Sequence, residues 1–250
     1  MNIGIDAYNE WHQRLGCAEE ISEVLLRPWY QTVAKRLPDL SGLRVLEIGC
    51  GRGDFSIWLA SRFPTADITG IDFSPTAIQI ATDRAKAAHS QAHFAVSDAQ
   101  SLGFRDAQFD YVISCECLEH LPHPDRMTAE IHRILRPLGK FILTTENYFN
   151  GMILAWLKKW IFRSPYDSGS GVQPHENFFL FWRVKKLFED VGLSVTHMES
   201  NHFQWLLLPR TDPMKLATLD FSRPALKRIA RPFGRHFTFS GYRRSDHRDQ

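Results

Sequence analysis

The chain has 250 residues, 44% of them hydrophobic and 23% charged, which is an ordinary balance for a globular protein. A chain of this length buries a sizeable core without cross-links, so it has room for one α/β domain with an embellishment or for two small domains. The formal net charge of +2 is close to neutral and argues against a dedicated nucleic-acid-binding protein.

Cysteine usage and the first residues bear on the compartment. The four cysteines form no disulfide pattern, and the one close pair, Cys115 and Cys117, has C-x-C spacing rather than the C-x-x-C of zinc and redox sites. We therefore expect a reducing, cytoplasmic setting. The N-terminal segment contains Asp6 and Glu10 and no long apolar run, so we expect no signal peptide. No stretch reaches the roughly 18 apolar residues of a membrane span.

The first part of the chain has the periodicity of a helix. Apolar residues recur at near-helical spacing over residues 8–37, and Pro28 should divide this segment. From residue 44 onward, short apolar runs alternate with helical segments, which predicts a parallel sheet covered by helices on both faces. The predicted strands of this part are residues 44–48, 67–72, 93–96, 109–114 and 140–145. The predicted helices between them are residues 54–63, 75–88 and 125–135.

The alternation of strands and helices changes after Thr145. Strong apolar stripes, loop-forming residues and a final alternating segment can still be read in the remaining sequence. The predicted elements are a helix at 151–163, a loop at 164–174, a helix at 181–191, a strand at 193–198 and a last, edge strand at 236–242.

Three parts are predicted along the chain. Residues 1–42 form an N-terminal helical segment, residues 43–200 a core domain with an insert at 147–177, and residues 201–250 a C-terminal extension. The extension is basic, since residues 210–250 carry ten Lys and Arg against four Asp and Glu. Such a balance is typical of a solvated basic surface or of a surface that binds an anionic partner.

The strongest local signal is the segment V-L-E-I-G-C-G-R-G, in which an apolar strand runs into Gly49, Gly51 and Gly53. Glycine permits a sharp strand-to-helix turn and lets a ligand approach the main chain closely. The spacing G-x-G-x-G differs from the G-x-G-x-x-G of dinucleotide-binding loops. Asp72 lies 19 residues past Gly53, at the end of the second predicted strand, where a carboxylate can accept two hydrogen bonds from a ribose diol.

The ends of two further predicted strands supply additional candidate ligand-binding residues. Asp98, in the segment S-D-A, closes the third predicted strand and is placed to accept a hydrogen bond from an adenine amino group. The fourth predicted strand, F-D-Y-V-I-S, ends at Cys115. Open α/β sheets bind ligands at the carboxyl ends of their parallel strands, so these residues predict one nucleotide-binding edge.

These segments together resemble class I S-adenosylmethionine-dependent methyltransferases. The resemblance rests on E-I-G-C-G-R-G, the acid at Asp72, S-D-A at Asp98, F-D-Y-V-I-S and L-R-P-L-G-K, and it covers residues 43 to about 195. It implies a Rossmann-like, doubly wound, mainly parallel sheet, here with an N-terminal helical segment and an inserted lid helix. It also implies S-adenosylmethionine as the cofactor and methyl transfer as the activity.

The resemblance implies a set of cofactor-binding positions. Glu47 and the glycine loop would surround the methionine part of the cofactor, and Asp72 would hold the ribose. Phe73 and the 98–99 pair would contact the adenine, and Cys115 would line the floor near the methyl group. The full set is Glu47, Gly49, Cys50, Gly51, Gly53, Asp72, Phe73, Asp98, Ala99 and Cys115.

The segment E-C-L-E-H follows the fourth predicted strand at the mouth of the site, and three hypotheses stay open for it. Glu116, Glu119 and His120 have side chains that ligate a divalent cation such as Mg²⁺. The pattern is similar to the metal site of ubiquinone-biosynthesis O-methyltransferases and small-RNA 2′-O-methyltransferases, where a downstream His, here His175, completes the site. Such an ion would polarise an acceptor hydroxyl. Alternatively, His120 acts as a general base beside Glu119, or these residues only stabilise the fold.

The acceptor is constrained by the insert and the overall charge. The helix in the insert carries Trp156 and Trp160 on one face and cationic residues on another, which fits a lid packed on the domain or a helix at a membrane interface. No nucleic-acid-binding module is recognisable. We therefore expect methyl transfer to an oxygen of a small-molecule or lipid-linked acceptor, in the cytoplasm or at the periphery of a membrane. The alternatives are a glycan or RNA 2′-hydroxyl acceptor, and a non-catalytic cofactor-binding subunit.

Overall fold

The computed structural model describes residues 5–14, 21–146, 179–203 and 234–245. The strands are β1 (Arg44–Ile48), β2 (Asp67–Asp72), β3 (His93–Val96), β4 (Phe109–Cys115), β5 (Leu135–Glu146), β6 (Leu193–Phe203) and β7 (Gly234–Arg243). The helices are α1 (Ile5–Arg14), α2 (Pro28–Ala34), α3 (Asp54–Arg62), α4 (Pro75–Ala87), α5 (Pro124–Ile134) and α6 (Phe181–Asp190), with short 3-10 helices at Ile21–Leu26 and Leu118–His120. Within these ranges the strands form a seven-stranded sheet in the order β3-β2-β1-β4-β5-β7-β6.

The sheet changes its winding direction beside β1. β1 pairs in parallel with β2 on one side and with β4 on the other, and β5 continues the parallel arrangement. Ile48 is aligned with both Ile71 and Ser114, so the carboxyl ends of β1, β2 and β4 meet at one edge. This topology confirms the predicted α/β, doubly wound class, and it puts the switch point directly after β1.

Residues along β1 alternate between two cores. Leu46 and Ile48 belong to a core to which α5 and α6 contribute buried apolar side chains, whereas Val45 belongs to a second core shared with α2 and α3. Each fully buried side chain of this kind stabilises the fold by about 1.5–3 kcal/mol relative to an exposed position. Burial on both faces explains why the strand sequence is almost continuously apolar.

β7 lies inside the sheet, which corrects the prediction of an edge strand at residues 236–242. It pairs antiparallel with β5 on one side and with β6 on the other. Phe237 and Phe239 are fully buried on one face, and Thr238 is buried on the other. Both faces of β7 are therefore covered at these residues, and the strand at this edge of the sheet is β6.

The N-terminal segment is more broken than the predicted helix over residues 8–37. Pro28 begins α2, as expected, and Arg27 before it is extended, with φ −73° and ψ 122°. A residue before proline avoids the helical region, so the preceding 3-10 helix cannot continue into α2. The helix predicted at 151–163 lies outside the described residues, together with the rest of the 147–177 insert and most of the basic extension.

Within the described ranges, none of the helices combines the length and the apolar character that a bilayer-crossing segment needs.

Gly241, in the middle of β7, should tolerate no side chain. A Cβ atom there would overlap the carbonyl oxygen of Ser194 on β6, and backbone cannot move aside cheaply. We expect Gly241→Ala to lower the free energy of unfolding by about 2–4 kcal/mol, measured by urea denaturation. Gly103→Ala is the matched control, because no atom of the described ranges lies within 4 Å of a Cβ at that exposed glycine. Equal unfolding midpoints for the two variants would contradict this account of β7.

Candidate active site

The glycine loop after β1 uses the conformational freedom of all three glycines. Gly49, Gly51 and Gly53 have φ angles of 76°, 54° and 78°, in the left-handed region that other residues rarely adopt. The backbone N–H groups of Gly49 and Cys50 donate to the carbonyl oxygen of Ile71, at 2.8 and 2.9 Å. The loop therefore turns back over the end of β2 before α3 begins.

The three glycines of the loop differ in how closely other side chains pack against them. A Cβ on Gly49 would lie 2.7 Å from the Sγ atom of Cys117, and one on Gly53 would lie 2.8 Å from the ring of Phe94. Among the described residues, a Cβ on Gly51 would meet only His12, at 3.7 Å. Gly49 and Gly53 are thus required by close packing, and Gly51 is the least crowded position of the loop.

Glu47 is fully buried just before the loop. Its Oε2 atom accepts a hydrogen bond from the hydroxyl of Ser56 on α3. Its Oε1 atom has no hydrogen-bond partner among the described residues. Burial raises the pKa of Glu47 to about 8. A buried carboxyl with an unbonded oxygen fits a cationic donor, such as the ammonium group of the cofactor that the sequence predicts.

Asp72 joins the loop to the next turn. Its Oδ2 atom accepts from the backbone N–H of Gly51 at 3.0 Å, and its Oδ1 atom accepts from the backbone N–H of Ser74 at 2.9 Å. Burial raises the pKa of this carboxyl, and the backbone hydrogen bonds partly offset that rise. Each oxygen of a carboxylate accepts more than one hydrogen bond, so both retain capacity for a ribose diol.

The residues predicted for the adenine lie after β2 and β3. Asp72 and Val96 are register partners, so Asp98 follows two residues beyond the end of that pair. Asp98 is exposed and its Oδ1 atom accepts from the backbone N–H of Gln100 at 2.8 Å, while Ala99 is buried. The structure thus brings the predicted adenine residues to the same edge as the glycine loop.

Helix α1 covers the turn after β2, a contact that the sequence analysis did not predict. The ring of Tyr8 packs edge-on against Phe73, with centroids 4.7 Å apart. The Oδ1 atom of Asn9 accepts from the hydroxyl of Ser74 at 2.6 Å, and Ser74 in turn caps α4. Because these contacts join residues about 65 positions apart, a local sequence pattern cannot predict them.

His12 completes the contact of α1 with the glycine loop. Its imidazole is buried and lies nearest to Gly51. Burial, reinforced by the charge of Arg52, lowers the pKa of His12 to about 4. This histidine is therefore neutral at physiological pH and acts here as a packed, uncharged side chain.

The segment after β4 carries the acids that were predicted to act on the acceptor. Glu119 is fully buried, and its Oε2 atom accepts from the hydroxyl of Thr145 at 2.8 Å. The Nε2 atom of His120 lies 3.8 Å from its Oε1 atom. Burial and the neighbouring charge of Glu116 raise the pKa of Glu119 to about 7. The predicted general base and its carboxylate are thus adjacent.

The two carboxylates of the predicted metal site have separate partners. The Oε2 atom of Glu116 lies 3.0 Å from Nδ1 of His236, and Glu119 is held by Thr145. No group of three or more His, Cys, Asp or Glu side chains suited to a metal ion occurs among the described residues. The geometry therefore gives the magnesium hypothesis no support. His175 lies outside the described residues, so the four-residue set stays a prediction.

Cys115 is buried at the end of β4, and burial raises the pKa of its thiol well above the usual range. The cysteine that borders the glycine loop is Cys117, through its contact with Gly49. Two functional candidates were therefore missed in this region, Cys117 and His236. The first follows the predicted strand end by only two residues; the second is separated from Glu116 by 120 residues.

Comparison with known proteins agrees with this geometry. Residues 45–139 match the sequence model of the family described as "Methyltransferase domain". Fatty-acid O-methyltransferase of Mycolicibacterium smegmatis is 35% identical over 127 residues, which are 51% of this chain and 45% of the relative. The chloroplastic tocopherol O-methyltransferase of Arabidopsis thaliana is 41% identical over 105 residues, which are 41% of this chain and 30% of the relative.

A solved structure extends the likeness to the whole fold. A chain of the complex between the Haloferax volcanii Trm112 methyltransferase activator and a methyltransferase has a TM-score of 0.66 at 23% identity, covering 97% of this chain and 98% of that chain. At this identity the likeness shows the fold alone. The chain spans less than half the length of the two curated relatives. The family match contains all ten predicted cofactor positions and ends before the 147–177 insert.

The raised pKa of Glu47 predicts a pH-dependent stability. Between pH 4.5, the ordinary pKa of this carboxyl, and about 8, the folded protein keeps a proton that the unfolded chain releases. The free energy of unfolding should therefore fall as pH rises through this window, with a slope approaching about 1.4 kcal/mol per pH unit. Urea denaturation should show a shallower slope for Glu47→Gln, because an amide does not titrate.

The control for this experiment is Glu189→Gln. Glu189 is partly exposed on α6 and pairs with Lys185. This variant should keep the wild-type slope. The same slope in Glu47→Gln as in the wild type would contradict the assignment of the pH dependence to Glu47.

Proposed function

We propose that this chain, of which residues 45–139 match the family described as "Methyltransferase domain", transfers a methyl group from S-adenosylmethionine to an oxygen of a small or lipid-linked acceptor. The observation that carries the proposal is the meeting of Glu47, Asp72 and the glycine loop at the switch point of the sheet. Glu47 and Asp72 supply carboxyl oxygens as hydrogen-bond acceptors at the edge where open α/β sheets bind ligands.

Different residues on this edge would bind different parts of the cofactor. Glu47 would accept from the ammonium group of the methionine part, and Asp72 from the ribose hydroxyls. Phe73 and the 98–99 pair would contact the adenine, and Cys115, with Cys117 beside the loop, would border the reacting end. When bound, the cofactor supplies an electrophilic methyl group on a sulfonium sulfur.

Methyl transfer of this kind is a direct displacement, so the protein has mainly to orient the acceptor and to accept one proton. His120 is the residue that we assign to the proton. Glu119 lies beside it, is anchored by Thr145 and holds the imidazole through its charge. A carboxylate next to an imidazole stabilises the protonated ring, which is the state formed when the acceptor hydroxyl is deprotonated.

The acceptor class rests on two kinds of support. The two curated relatives are named for a fatty acid and for tocopherol, and both are named as O-methyltransferases. The region after β4, with Glu119 and His120, offers hydrogen-bond acceptors to a hydroxyl group. A lipid-linked or small hydroxylated molecule is therefore the acceptor that we propose.

Binding of S-adenosylmethionine should depend on Asp72. Loss of hydrogen bonds to a charged group costs about 1.5–3 kcal/mol, so Asp72→Ala should weaken binding by at least about tenfold in calorimetry. Asp67→Ala is the matched control, because Asp67 begins the same strand at the opposite, exposed end. Titration with and without Mg²⁺ tests the magnesium hypothesis at the same time. Absence of binding to the wild type would refute the proposed function.

The His120→Ala variant should separate chemistry from cofactor binding. Removal of a general base lowers kcat by about 100- to 10,000-fold, whereas the affinity for S-adenosylmethionine should stay within about twofold. His123→Ala, at an exposed imidazole three residues further along, should leave both unchanged. Methyl transfer would be followed with radiolabelled cofactor on phenolic and alcoholic lipids, a glycan and RNA. Turnover on RNA or glycan alone would replace the lipid acceptor, and cofactor binding without turnover would favour a non-catalytic subunit.

A further inference from the structure

His236, on β7, belongs to no function described so far. Its imidazole is 3% exposed, and its Nδ1 atom lies 3.0 Å from the Oε2 atom of Glu116. In the Nδ1–H tautomer, His236 donates to an ionised Glu116 carboxylate in this contact. The ring of Trp29, on α2, lies against the imidazole with centroids 5.6 Å apart. A buried imidazole is thus held between an aromatic ring and a carboxylate.

The backbone of Glu116 is strained. Its φ angle is 49°, in the left-handed region that a residue with a β-carbon seldom adopts. Its N–H donates to the carbonyl oxygen of Thr144 at 3.1 Å, which fixes the turn against β5. Strained residues persist where the surrounding structure over-determines them, and they cluster at ligand-binding positions. The hydrogen bond to His236 fixes the side chain just as the one to Thr144 fixes the backbone.

The position of Glu116 places it on the acceptor side of the site. It directly follows β4, the strand that adjoins β1 at the switch point. Cys117, the next residue, touches Gly49 in the glycine loop. Glu116 also lies two residues before the 3-10 turn that contains Glu119 and His120, to which the proposed proton transfer is assigned. A group that enters this edge to reach the methyl donor therefore meets Glu116 close to the reacting atoms.

We infer that Glu116 binds the hydroxyl of the acceptor and that His236 is its positioning residue, so that the site selects hydroxyl acceptors over carboxylate acceptors. This inference rests on the proposed function, and it narrows the acceptor class to alcohols and phenols, as the tocopherol relative suggests, and away from the fatty-acid carboxylate for which the other relative is named. A phenol or alcohol donates its O–H to the Glu116 carboxylate. A carboxylate acceptor of the same shape brings a further negative charge beside the Glu116 carboxylate, and like charges in a partly buried site repel each other.

The test uses two probes that differ only in their polar head, 4-hexylphenol and 4-hexylbenzoic acid. Their binding to the full chain, saturated with S-adenosylhomocysteine, is measured by calorimetry at neutral pH. We expect the phenol to bind at least about tenfold more tightly than the benzoate. Equal binding, tighter binding of the benzoate or absence of phenol binding would each overturn the inference.

Substitutions at His236 test whether this residue positions Glu116 or only fills space in the core. His236→Phe keeps an aromatic ring beside Trp29 but removes the donor, so it should weaken phenol binding by about tenfold. His236→Asn retains a donor near the Nδ1 position and should restore binding to within about threefold of the wild type. His197→Phe, at an exposed histidine on the neighbouring strand β6, should have no effect. Equal phenol affinities for His236→Phe and the wild type would refute the role of His236.

Glu116→Gln keeps the experiment decisive if His236→Phe does not fold. Removing the charge should bring the phenol-to-benzoate affinity ratio close to one, a change that a purely structural role would not produce. An unchanged ratio would refute the selection by charge. Cofactor affinity is measured in every variant: if S-adenosylhomocysteine binds and the ratios fail, this inference falls alone, whereas lack of cofactor binding in the wild type refutes the proposed function itself.

Discussion

The carboxyl group of Asp72 holds together the two turns from which the candidate site is built. It accepts one backbone N–H from the glycine loop, at Gly51, and one from the start of the turn into α4, at Ser74. The glycines impose no conformation of their own, so the loop needs such an external acceptor to have one defined shape. The packing of α1 depends on the same turn, because Phe73 and Ser74 are the residues that Tyr8 and Asn9 contact.

In this region the fold buries several carboxyl groups that water would otherwise solvate. Burial raises the pKa of Glu47 to about 8 and that of Glu119 to about 7, and it raises the pKa of Asp72 as well. Perturbed carboxyls of this kind concentrate at functional sites, since a core without a function would contain apolar residues there. Glu47 and Asp72 lie on the glycine-loop side, and Glu119 lies on the side of β5. The two groups thus flank the place where a cationic methyl donor and a hydroxyl acceptor would meet.

The parallel half of this sheet was readable from local sequence because each of its signals is local. The apolar run of β1, the glycines after it and the acid at Asp72 lie within 30 residues, and the structure places them as the pattern predicts. The contacts of α1 and the interior position of β7 were not readable. They depend on pairing between distant segments, and small polar residues such as Thr238 look the same whether water or a neighbouring helix covers them. The insert at 147–177 lies outside the described residues, so its predicted role as a lid keeps the status of a prediction.

The register of β7 determines where His236 meets Glu116 on the acceptor side of the site. Side chains along a strand alternate between faces, so His236 shares a face with Thr238, whereas Phe237 and Phe239 enter the core formed with α5 and α6. Pairing with β5 sets His236 opposite Glu146, and at the other end Arg243 donates to the carbonyl oxygen of Leu135 at 2.7 Å. A slip of one residue would turn the imidazole to the opposite face and expose two phenylalanines. The burial of Phe237 and Phe239 therefore fixes the side on which His236 meets Glu116, and the hydrophobic core determines the position of a polar pair 120 residues apart in sequence.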